Sequence, residues 1–452
     1  MPKSSWVTQP LPSVTDLFAP APLGWLGGDS AASCALNATH LLWLWGDTLL
    51  GTSTGGRRKI QHFVHGSIAL QQRTIGVQPA FYVRTLADGT PDPDGFFQPG
   101  GNSTAHGGIY YWMVNEAALT LPAEEVEQPL LLLAQTMSPS GFLRQLGTDA
   151  VLLFPQPTIP PDRWRYQTSR IPASSPNVSF NTGVLLDPDG MVYLLGGRTA
   201  HAFGPVVHQL LARIARADLL AFRWSTMRFW GGEATGWVES IDAAAAIINA
   251  SYTEGSLGRY APGGPFYFVS LQAYEPSIMI YTAPRLTGPW TAAPLYTLPP
   301  LPANATLAYA AKSHPALRDI IGSSTAAERP SAETLIVSYN TNAQGLAPLE
   351  ASAAVYHPLF VKARLNCSAA TEARLSLPAC AASPDMLYVG LTAAGVAALL
   401  VGFLLGGVKV LRLRSRRAQR DRELLAEAKS RRAASTADGD EPPGARHDDV
   451  RR

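Results

Sequence analysis

Two aspartates, Asp29 and Asp47, are spaced so that their side chains could share one site. Asp29 follows two glycines in GGDSAAS, and Asp47 follows a strand-like run in LWLWGDT. The residues between them favour a hairpin that turns near Ala38, nine residues from each aspartate. Side chains directly opposite on such a ladder have Cβ atoms about 4.5–5.5 Å apart. Two carboxyl groups that close do not ionise independently, so we expect one of the two pKa values to rise.

This pair predicts a glycoside hydrolase, which needs one carboxyl group as an acid and another as a base or nucleophile. A separation near ~5 Å favours retention of configuration and ~6.5–9.5 Å favours inversion, and the sequence leaves both open. The chemistry requires no metal or other cofactor. The structural alternative is that each aspartate hydrogen-bonds the backbone of a turn, since both adjoin glycine. The sequence contains no H-E-x-x-H zinc helix, P-loop or dinucleotide fingerprint.

Other polar and aromatic residues near strand-like segments extend the predicted site. Glu254 is the third catalytic candidate because it opens such a segment. The predicted substrate-binding residues are His65, Asn181, Arg198, Trp230, Trp237 and His314. Trp230 and Trp237 lie in the glycine-rich stretch FWGGEATGW, where exposed rings could stack on sugars. The structural alternatives are a solvated strand end for Glu254, a packed histidine for His314 and an ordinary salt bridge for Arg198.

The elements that must position these residues are short strands. Gly (39) and Pro (37) are frequent, and a helical period is nearly absent from residues 24–365. A unit of small-residue strand, turn and apolar strand recurs at intervals of 57–78 residues, at 27–48, 102–116, 180–198, 253–272 and 310–342. These five units predict an all-β fold, a five-bladed β-propeller over residues 23–365, with 355–365 completing the first blade. The alternative is a pair of β-sandwiches.

A single transmembrane α-helix is predicted at residues 387–408, which run from Leu387 to Val408 without a charge. As a helix this segment would be roughly 33 Å long, enough to cross a hydrocarbon core of about 30 Å. The tail 409–452 holds 13 Lys and Arg and 8 Asp and Glu, so the positive-inside rule places it in the cytoplasm. Gly402 and Gly406 have the spacing that favours helix–helix self-association. The alternative is a buried core helix.

Residues 1–386 are therefore expected to be extracellular or lumenal. Six glycosylation sequons precede the predicted span and none follows it: Asn37, Asn102, Asn177, Asn249, Asn304 and Asn366. Residues 1–22 are predicted to be a leader, although they lack the apolar stretch of a signal peptide, and 366–386 a stalk. The tail is expected to be largely disordered. With a net charge of +2, the chain is not expected to bind nucleic acid.

Several stretches resemble a family of five-bladed β-propeller proteins that are glycoside-hydrolase-like. Members of this family were long described as domains of unknown function, and they are related to endo-D-arabinanases. The stretches are GGDSAAS with LWLWGDT, IYTAPRLTGPWT, and YAAKSHPAL with LIVSYNTN. The resemblance covers roughly residues 23–365. It implies a carbohydrate substrate, with Asp29 and Asp47 as paired acids and Glu254 as a further acid from the fourth blade.

Two departures from that family keep a second function open. The segment that begins at His65 reads His-Gly-Ser where an Asn is expected before Ser. A membrane anchor with a basic tail is foreign to a simple secreted glycanase. The first prediction is a membrane-anchored glycoside hydrolase that acts on an extracellular or lumenal polysaccharide. The alternative is a non-catalytic carbohydrate-binding or adhesion receptor on the same propeller.

Overall fold

The structure is a computed structural model that describes residues 6–365 apart from short internal gaps. These gaps are 22, 75, 101–107, 114–117, 121–128, 140–143, 157–158, 200–206, 252–253, 261–263, 272–274 and 322–333. Strands dominate the described residues, and the four α-helices among them have at most seven residues each. The helices are α1 (Pro12–Thr15), α2 (Arg216–Leu220), α3 (Pro315–Ile321) and α4 (Leu346–Ala351). The all-β prediction is confirmed.

Two sheets near the start of the chain share one long hairpin. The strands of this region are β1 (Trp6–Pro10), β2 (Leu23–Gly28), β3 (Ala32–Ala35), β4 (His40–Trp45), β5 (Thr48–Thr54), β6 (Arg57–Val64), β7 (Ser67–Gln72) and β8 (Ala80–Tyr82). One sheet has the order β2–β5–β6, and the other has the order β3–β4–β7–β8. Because β2 pairs with β5 and β3 pairs with β4, the same two chain segments run through both sheets. This register places Asp29 opposite Asp47, as the sequence predicts.

The next two sheets are larger and follow one another along the chain. Their strands are β9 (Tyr110–Trp112), β10 (Ala118–Thr120), β11 (Leu130–Met137), β12 (Gln145–Phe154), β13 (Arg165–Arg170), β14 (Val178–Leu186), β15 (Met191–Arg198), β16 (Val207–Ala215), β17 (Arg228–Trp230), β18 (Trp237–Val238) and β19 (Ala246–Ser251). One sheet has the order β10–β11–β12–β13, with β9 also paired to β11. The other has the order β14–β15–β16–β17–β18, with β19 also paired to β16.

The last sheet unites both ends of the described chain. The remaining strands are β20 (Gly255–Arg259), β21 (Phe266–Ser270), β22 (Ser277–Ala283), β23 (Thr291–Thr297), β24 (Leu307–Ser313), β25 (Thr334–Asn342) and β26 (Pro358–Leu365). Strands β20 to β23 form one sheet in chain order, and the last sheet has the order β1–β26–β25–β24. The expectation that 355–365 completes the first blade is therefore wrong. Instead, the N-terminal strand β1 pairs with β26, from Trp6 opposite Leu365 to Pro10 opposite Val361.

The segment predicted to be a leader, 1–22, also contributes to the core. It contains β1 and α1, and the side chain of Phe18 is fully buried. The ring of Phe18 packs edge-on against Trp43 of β4, with ring centroids 4.7 Å apart, and stacks on Phe360 of β26. Residues before position 23 thus fasten the first sheets to the last one.

Five of the six sheets each place one edge strand beside an edge strand of another, in chain order. Strand β3 contacts β10, β10 contacts β14, β14 contacts β20, and β20 contacts β24. A hydrogen bond of 2.8 Å between Ser33 Oγ in β3 and His314 Nδ1, just after β24, joins the last of these sheets to the first. Apolar side chains such as Leu131, Phe180 and Leu194 fill the space between neighbouring sheets. These contacts connect five of the six sheets one to the next.

Within the described residues, no helix is long and apolar enough to cross a bilayer. The predicted stalk, span and tail, 366–452, lie outside the described residues, as do the sequons at Asn102 and Asn366. Among the other sequon asparagines, Asn37 is half-buried and three are exposed: Asn177, Asn249 and Asn304.

Candidate active site

Asp29 and Asp47 lie where the long hairpin passes from one sheet to the next. The backbone N–H of Asp29 donates to the carbonyl of Asp47 at 3.1 Å, and Gly46 N–H donates to the carbonyl of Asp29 at 3.0 Å. Two glycines make room here. A Cβ on Gly27 would clash with the backbone carbonyl of Tyr356, and a Cβ on Gly46 would clash with Oδ1 of Asp29. The glycines of GGD and WGD therefore allow the close approach that forms the site.

The carboxyl group of Asp29 is buried and only half satisfied. Asp29 is 3% exposed, and its Oδ2 accepts hydrogen bonds from the hydroxyls of Tyr309 at 2.9 Å and Tyr356 at 3.3 Å. Its Oδ1 accepts no hydrogen bond from any described residue. Burial raises the pKa of Asp29 well above its usual value, and the charges of Asp47 and Glu254 raise it further, whereas the two tyrosine hydroxyls oppose this rise. The prediction that one pKa of the aspartate pair rises is met by Asp29.

Asp47 pairs with a histidine. Its Oδ1 lies 2.9 Å from Nδ1 of His65, and the two side chains are 17% and 24% exposed. The imidazole of His65 stacks on the ring of Tyr110, with ring centroids 3.7 Å apart and an interplanar angle of 12°. Asp47 therefore does not use this oxygen to cap a turn, which was the structural alternative. The stack orients the imidazole, which in turn holds the carboxylate at the edge of the site.

Glu254 faces a buried lysine. It immediately precedes β20, and its Oε2 lies 3.9 Å from Nζ of Lys312, whose side chain is fully buried in β24. Burial raises the pKa of Glu254, and the Lys312 ammonium partly counteracts this. Glu254 thus lies at the start of a strand, as predicted, and the ammonium of Lys312 lies beside it.

A bulge in β24 lets one strand serve two carboxyl groups. Tyr309 pairs with Asn340 and Lys312 pairs with Ser338, so three steps along β24 match two steps along β25. The extra residue brings Tyr309 and Lys312 to the same face, which a regular strand would not do. Ala310, inside the bulge, has a φ of 56°. Tyr309 thereby reaches Asp29 while Lys312 reaches Glu254.

His314 does not join this site. It is fully buried, and its two ring nitrogens each lie 2.8 Å from a serine hydroxyl, Nδ1 from Ser33 and Nε2 from Ser338. Burial, aided by the charge of Lys312, lowers the pKa of His314 to about 3, so the ring is neutral. The prediction that His314 binds substrate is corrected, because its hydrogen bonds connect the first and last sheets instead.

Arg198 and the two loop tryptophans also have other partners. Nη2 of Arg198 donates to the carbonyl of Ile241 at 2.5 Å, so this residue supports a loop rather than a ligand. Trp230 and Trp237 pack edge-to-face on each other, with ring centroids 5.5 Å apart. Trp237 and Arg259 both line a cavity of about 340 Å³. Arg259 is the last residue of β20, whereas Glu254 immediately precedes the first residue of that strand, so this cavity and Glu254 lie at opposite ends of β20. Asp29, Asp47 and Glu254 influence one another's charge and are called the carboxyl cluster below. The predicted substrate-binding roles of Arg198, Trp230 and Trp237 are not supported at this cluster.

Asn181 lies in β14, which contacts β20 beside Glu254. The pairing of β14 with β15 is irregular between Ser179 and Gly183, so Asn181 sits in a distorted part of the strand, 2% exposed. Its predicted role in substrate binding stays a prediction.

Four residues around the carboxyl groups were not predicted from the sequence: Tyr309, Tyr356, Lys312 and Tyr110. Lys312 carried a usable signal, because a lysine among small residues in the strand-like run YAAKS is unusual unless the charge has a buried partner. Tyr309 and Tyr356 carried no such signal, since they contact Asp29 from 280 and 327 positions away in the sequence. Among the described residues, no group of three or more His, Cys, Asp or Glu could hold a metal ion.

The fold and site define an all-β protein with a buried carboxyl cluster between its first and last sheets. The chain belongs to the family described as Domain of unknown function (DUF5005), whose model matches residues 15–365. None of the curated proteins matches the sequence. The predicted membership of a family of unknown-function domains is thus confirmed, and the link to endo-D-arabinanases stays a prediction.

Solved structures with a similar chain trace include glycoside hydrolases. A “putative hydrolase” from Bacteroides ovatus ATCC 8483 is 18% identical, and the match covers 82% of this chain and 95% of that one with a TM-score of 0.58. This likeness concerns the fold. More distant ones are a family 117 glycoside hydrolase from Zobellia galactanivorans (10% identity, 80% and 90% covered, TM-score 0.43) and an α-L-arabinofuranosidase from Podospora anserina (10%, 79% and 96%, TM-score 0.41).

Proposed function

We propose that this protein is a glycoside hydrolase in which Asp29, Asp47 and Glu254 share the proton chemistry. One observation carries the proposal. Asp29 is a buried carboxyl group with one oxygen left without a hydrogen bond from the described residues, and its pKa is raised by burial and by both other carboxyl groups. A group of this kind, poised to hold or release a proton, is what general acid–base catalysis requires.

The electrostatics give the three carboxyl groups different tasks. Because Asp47 and Glu254 both disfavour ionisation of Asp29, Asp29 keeps its proton to a higher pH than an isolated aspartate does. The group that keeps its proton can donate it to the leaving oxygen of a glycosidic bond. Burial raises the pKa of both Asp29 and Glu254, so these are the candidate donors. Asp47, beside His65, is the candidate for the base or nucleophile.

The same proposal includes the finer architecture. The five sheets that begin with β3, β10, β14, β20 and β24 would be the blades of a five-bladed propeller, with these strands innermost. Their contacts in chain order support this, as does the hydrogen bond of Ser33 to His314 that links the last sheet to the first. The carboxyl cluster would then lie at one mouth of the central channel, where propeller enzymes bind ligands. An experimental structure with a central channel bounded by fewer or more than five sheets would refute it.

The substrate class is a carbohydrate, and the resemblance to endo-D-arabinanases makes arabinans the first to test. The glycoside hydrolases among structures with a similar chain trace suggest the same class. The non-catalytic receptor remains the second outcome of the experiment, distinguished by binding that survives loss of the carboxyl groups.

Membrane anchoring through 387–408 is part of the proposal as well, with residues 1–386 extracellular or lumenal. The uncharged segment, the basic residues after it and the sequons before it support this. The protein should stay with membranes after alkaline carbonate extraction, and enzymatic removal of N-glycans should lower its apparent mass. Release into the carbonate supernatant would contradict the anchor.

The decisive experiment measures reducing sugar released by the full-length protein, purified in detergent, from arabinans, galactans and xylans. Asp29→Asn, Asp47→Asn and Glu254→Gln should each reduce the rate by about 100-fold or more. Asp187→Asn is the matched control, because this carboxyl group pairs with Arg259 outside the cluster and its loss should change the rate less than about twofold. If no polysaccharide is cleaved, yet one is bound equally by all variants, the receptor function replaces the enzyme.

A further inference from the structure

We propose that Trp112 and Asp29 together hold one hydroxyl oxygen, so that Trp112 is a positioning residue for the group that reacts at the carboxyl cluster. The consequence for catalysis rests on the proposed function, whereas the binding of the oxygen does not. The proposal starts from two buried polar atoms of opposite character. Nε1 of Trp112 is a donor and Oδ1 of Asp29 is an acceptor, and neither has a hydrogen-bond partner among the described residues.

Gly46 shows that the two atoms face the same small space. A Cβ built on Gly46 would lie 3.3 Å from Nε1 of Trp112 and in steric conflict with Oδ1 of Asp29. The two atoms are therefore close enough for one oxygen to lie at hydrogen-bonding distance from both, yet they do not bond each other. The absence of a side chain at Gly46 leaves room for that oxygen.

The elements hold this arrangement in place. Trp112 lies in β9, paired with Gln135 of β11, and Asp29 is fixed by Tyr309 and Tyr356 through its other oxygen. Trp25 and Trp45 also carry buried indole N–H groups that have no hydrogen-bond partner in the described part of the chain, but Asp29 Oδ1 lies near the indole of Trp112. A buried donor and a buried acceptor that are aimed into one space, both unsatisfied, indicate a bound group.

The chemistry of the two atoms identifies that group. Trp112 can only donate, so the bound atom must accept a hydrogen bond. Asp29 accepts when ionised and donates when protonated, so the atom must suit both states. A hydroxyl oxygen meets both conditions. A carbonyl accepts from Trp112 but cannot donate to an ionised Asp29, and an ammonium cannot accept from Trp112 at all. The oxygen could be a water molecule or a hydroxyl of a sugar.

A crystal structure of the full-length protein in detergent tests the binding directly. An oxygen should lie about 2.7–3.2 Å from both Nε1 of Trp112 and Oδ1 of Asp29. Gly46→Ala should expel it. Crystals soaked separately in L-arabinose, D-arabinose, D-galactose and D-xylose identify its source. A sugar hydroxyl at this point assigns the site to substrate, and a retained water beside the bound sugar assigns it to water. No oxygen in any of these structures would overturn the proposal.

Kinetics on any cleaved polysaccharide give a second readout. Trp112→Phe keeps an aromatic ring but removes the N–H, and we expect kcat/KM to fall about tenfold or more. If the oxygen is water, the fall lies in kcat. If it belongs to the substrate, KM rises. Trp25→Phe is the control, because it removes another buried indole N–H outside the cluster, and its kcat/KM should stay within about twofold of wild type.

The two proposals fail in distinguishable ways. If no glycan is cleaved but the oxygen is present in crystals, the site stands and the glycoside hydrolase does not. If glycans are cleaved and Trp112→Phe behaves like Trp25→Phe, the hydrolase stands and the positioning role of Trp112 does not. Thermal unfolding of each variant guards against a loss caused by misfolding alone.

Discussion

The hydroxyl of Tyr309 donates a 2.9 Å hydrogen bond to Oδ2 of Asp29, across 280 positions of sequence. Asp29 lies on the first hairpin and Tyr309 on the last sheet. A residue from one end of the described chain therefore helps to set the pKa of an acid at the other end. The same strand, β24, carries Lys312 to Glu254. The pKa values of Asp29 and Glu254 therefore depend on the position of the last sheet relative to these two carboxyl groups.

Tyr309→Phe should move the pH dependence of the reaction upward. The hydroxyl of Tyr309 lowers the pKa of Asp29, so its removal raises that pKa. Whichever limb of the pH–rate profile belongs to Asp29 should shift to higher pH. Tyr356→Phe should shift the same limb less, because its hydrogen bond is longer, 3.3 Å. An unchanged profile in both variants would show that Asp29 does not titrate in the rate-determining step.

Lys312→Met should act on Glu254. The ammonium lowers the pKa of Glu254 against the effect of burial, so an uncharged side chain at 312 lets that pKa rise further. The limb of the pH–rate profile that belongs to Glu254 should shift to higher pH. Lys312→Arg retains the charge and serves as the control. A shift of equal size in both variants would point to repacking rather than charge.

His314 should make the protein less stable in acid. Its pKa is about 3 when folded and about 6.5 when unfolded, so between these values the unfolded state binds the additional proton. The free energy of unfolding should fall as the pH is lowered below 6.5, with a contribution from His314 of about 2 kcal/mol at pH 5.

Denaturant unfolding between pH 4 and pH 8 measures this dependence. His357, whose pKa burial lowers to about 4, contributes with the same sign. The free energy of unfolding of His314→Gln should therefore depend less steeply on pH than that of wild type, and the contribution of His357 should remain. An identical slope in wild type and His314→Gln would exclude the buried histidine as a source.

Deletion of residues 1–20 should prevent stable folding. It removes β1, which pairs along its whole length with β26, and Phe18, which packs between Trp43 and Phe360. We expect a lowered melting temperature or insoluble protein, because β26 becomes an exposed edge strand. Deletion of residues 1–5 leaves β1 intact and is the control. Equal melting temperatures for the two deletions would contradict a structural role for β1.

The first hairpin was predictable because its information is local. The aspartates of GGD and WGD stand nine residues on either side of the turn, so a hairpin centred there places them opposite each other. The pairing of β1 with β26 was not predictable in this way. The run WVTQP of β1 is short and half polar, and its partner β26 lies some 350 residues away, so no local pattern connects them.

The environment of the site was also beyond local reasoning. His314 follows a strand-like run, as a ligand-binding histidine would, but its surroundings come from β3, β25 and β26. Tyr356 reaches Asp29 from a residue with a φ of 66°, a conformation that its sequence context does not suggest. Residue types indicated where the carboxyl groups meet, whereas long-range contacts determine which of them keeps a proton.

The pairing of β1 with β26 has a consequence for biosynthesis. A ribosome releases β26 only after the rest of the described chain, so the strand β1 must wait without its partner while all the sheets between them are synthesised. Tyr309 and Tyr356 emerge equally late. Nascent and prematurely terminated chains therefore contain Asp29 and Asp47 but lack the surroundings that tune them. The surroundings of the two aspartates are complete only when both ends of the described fold have met.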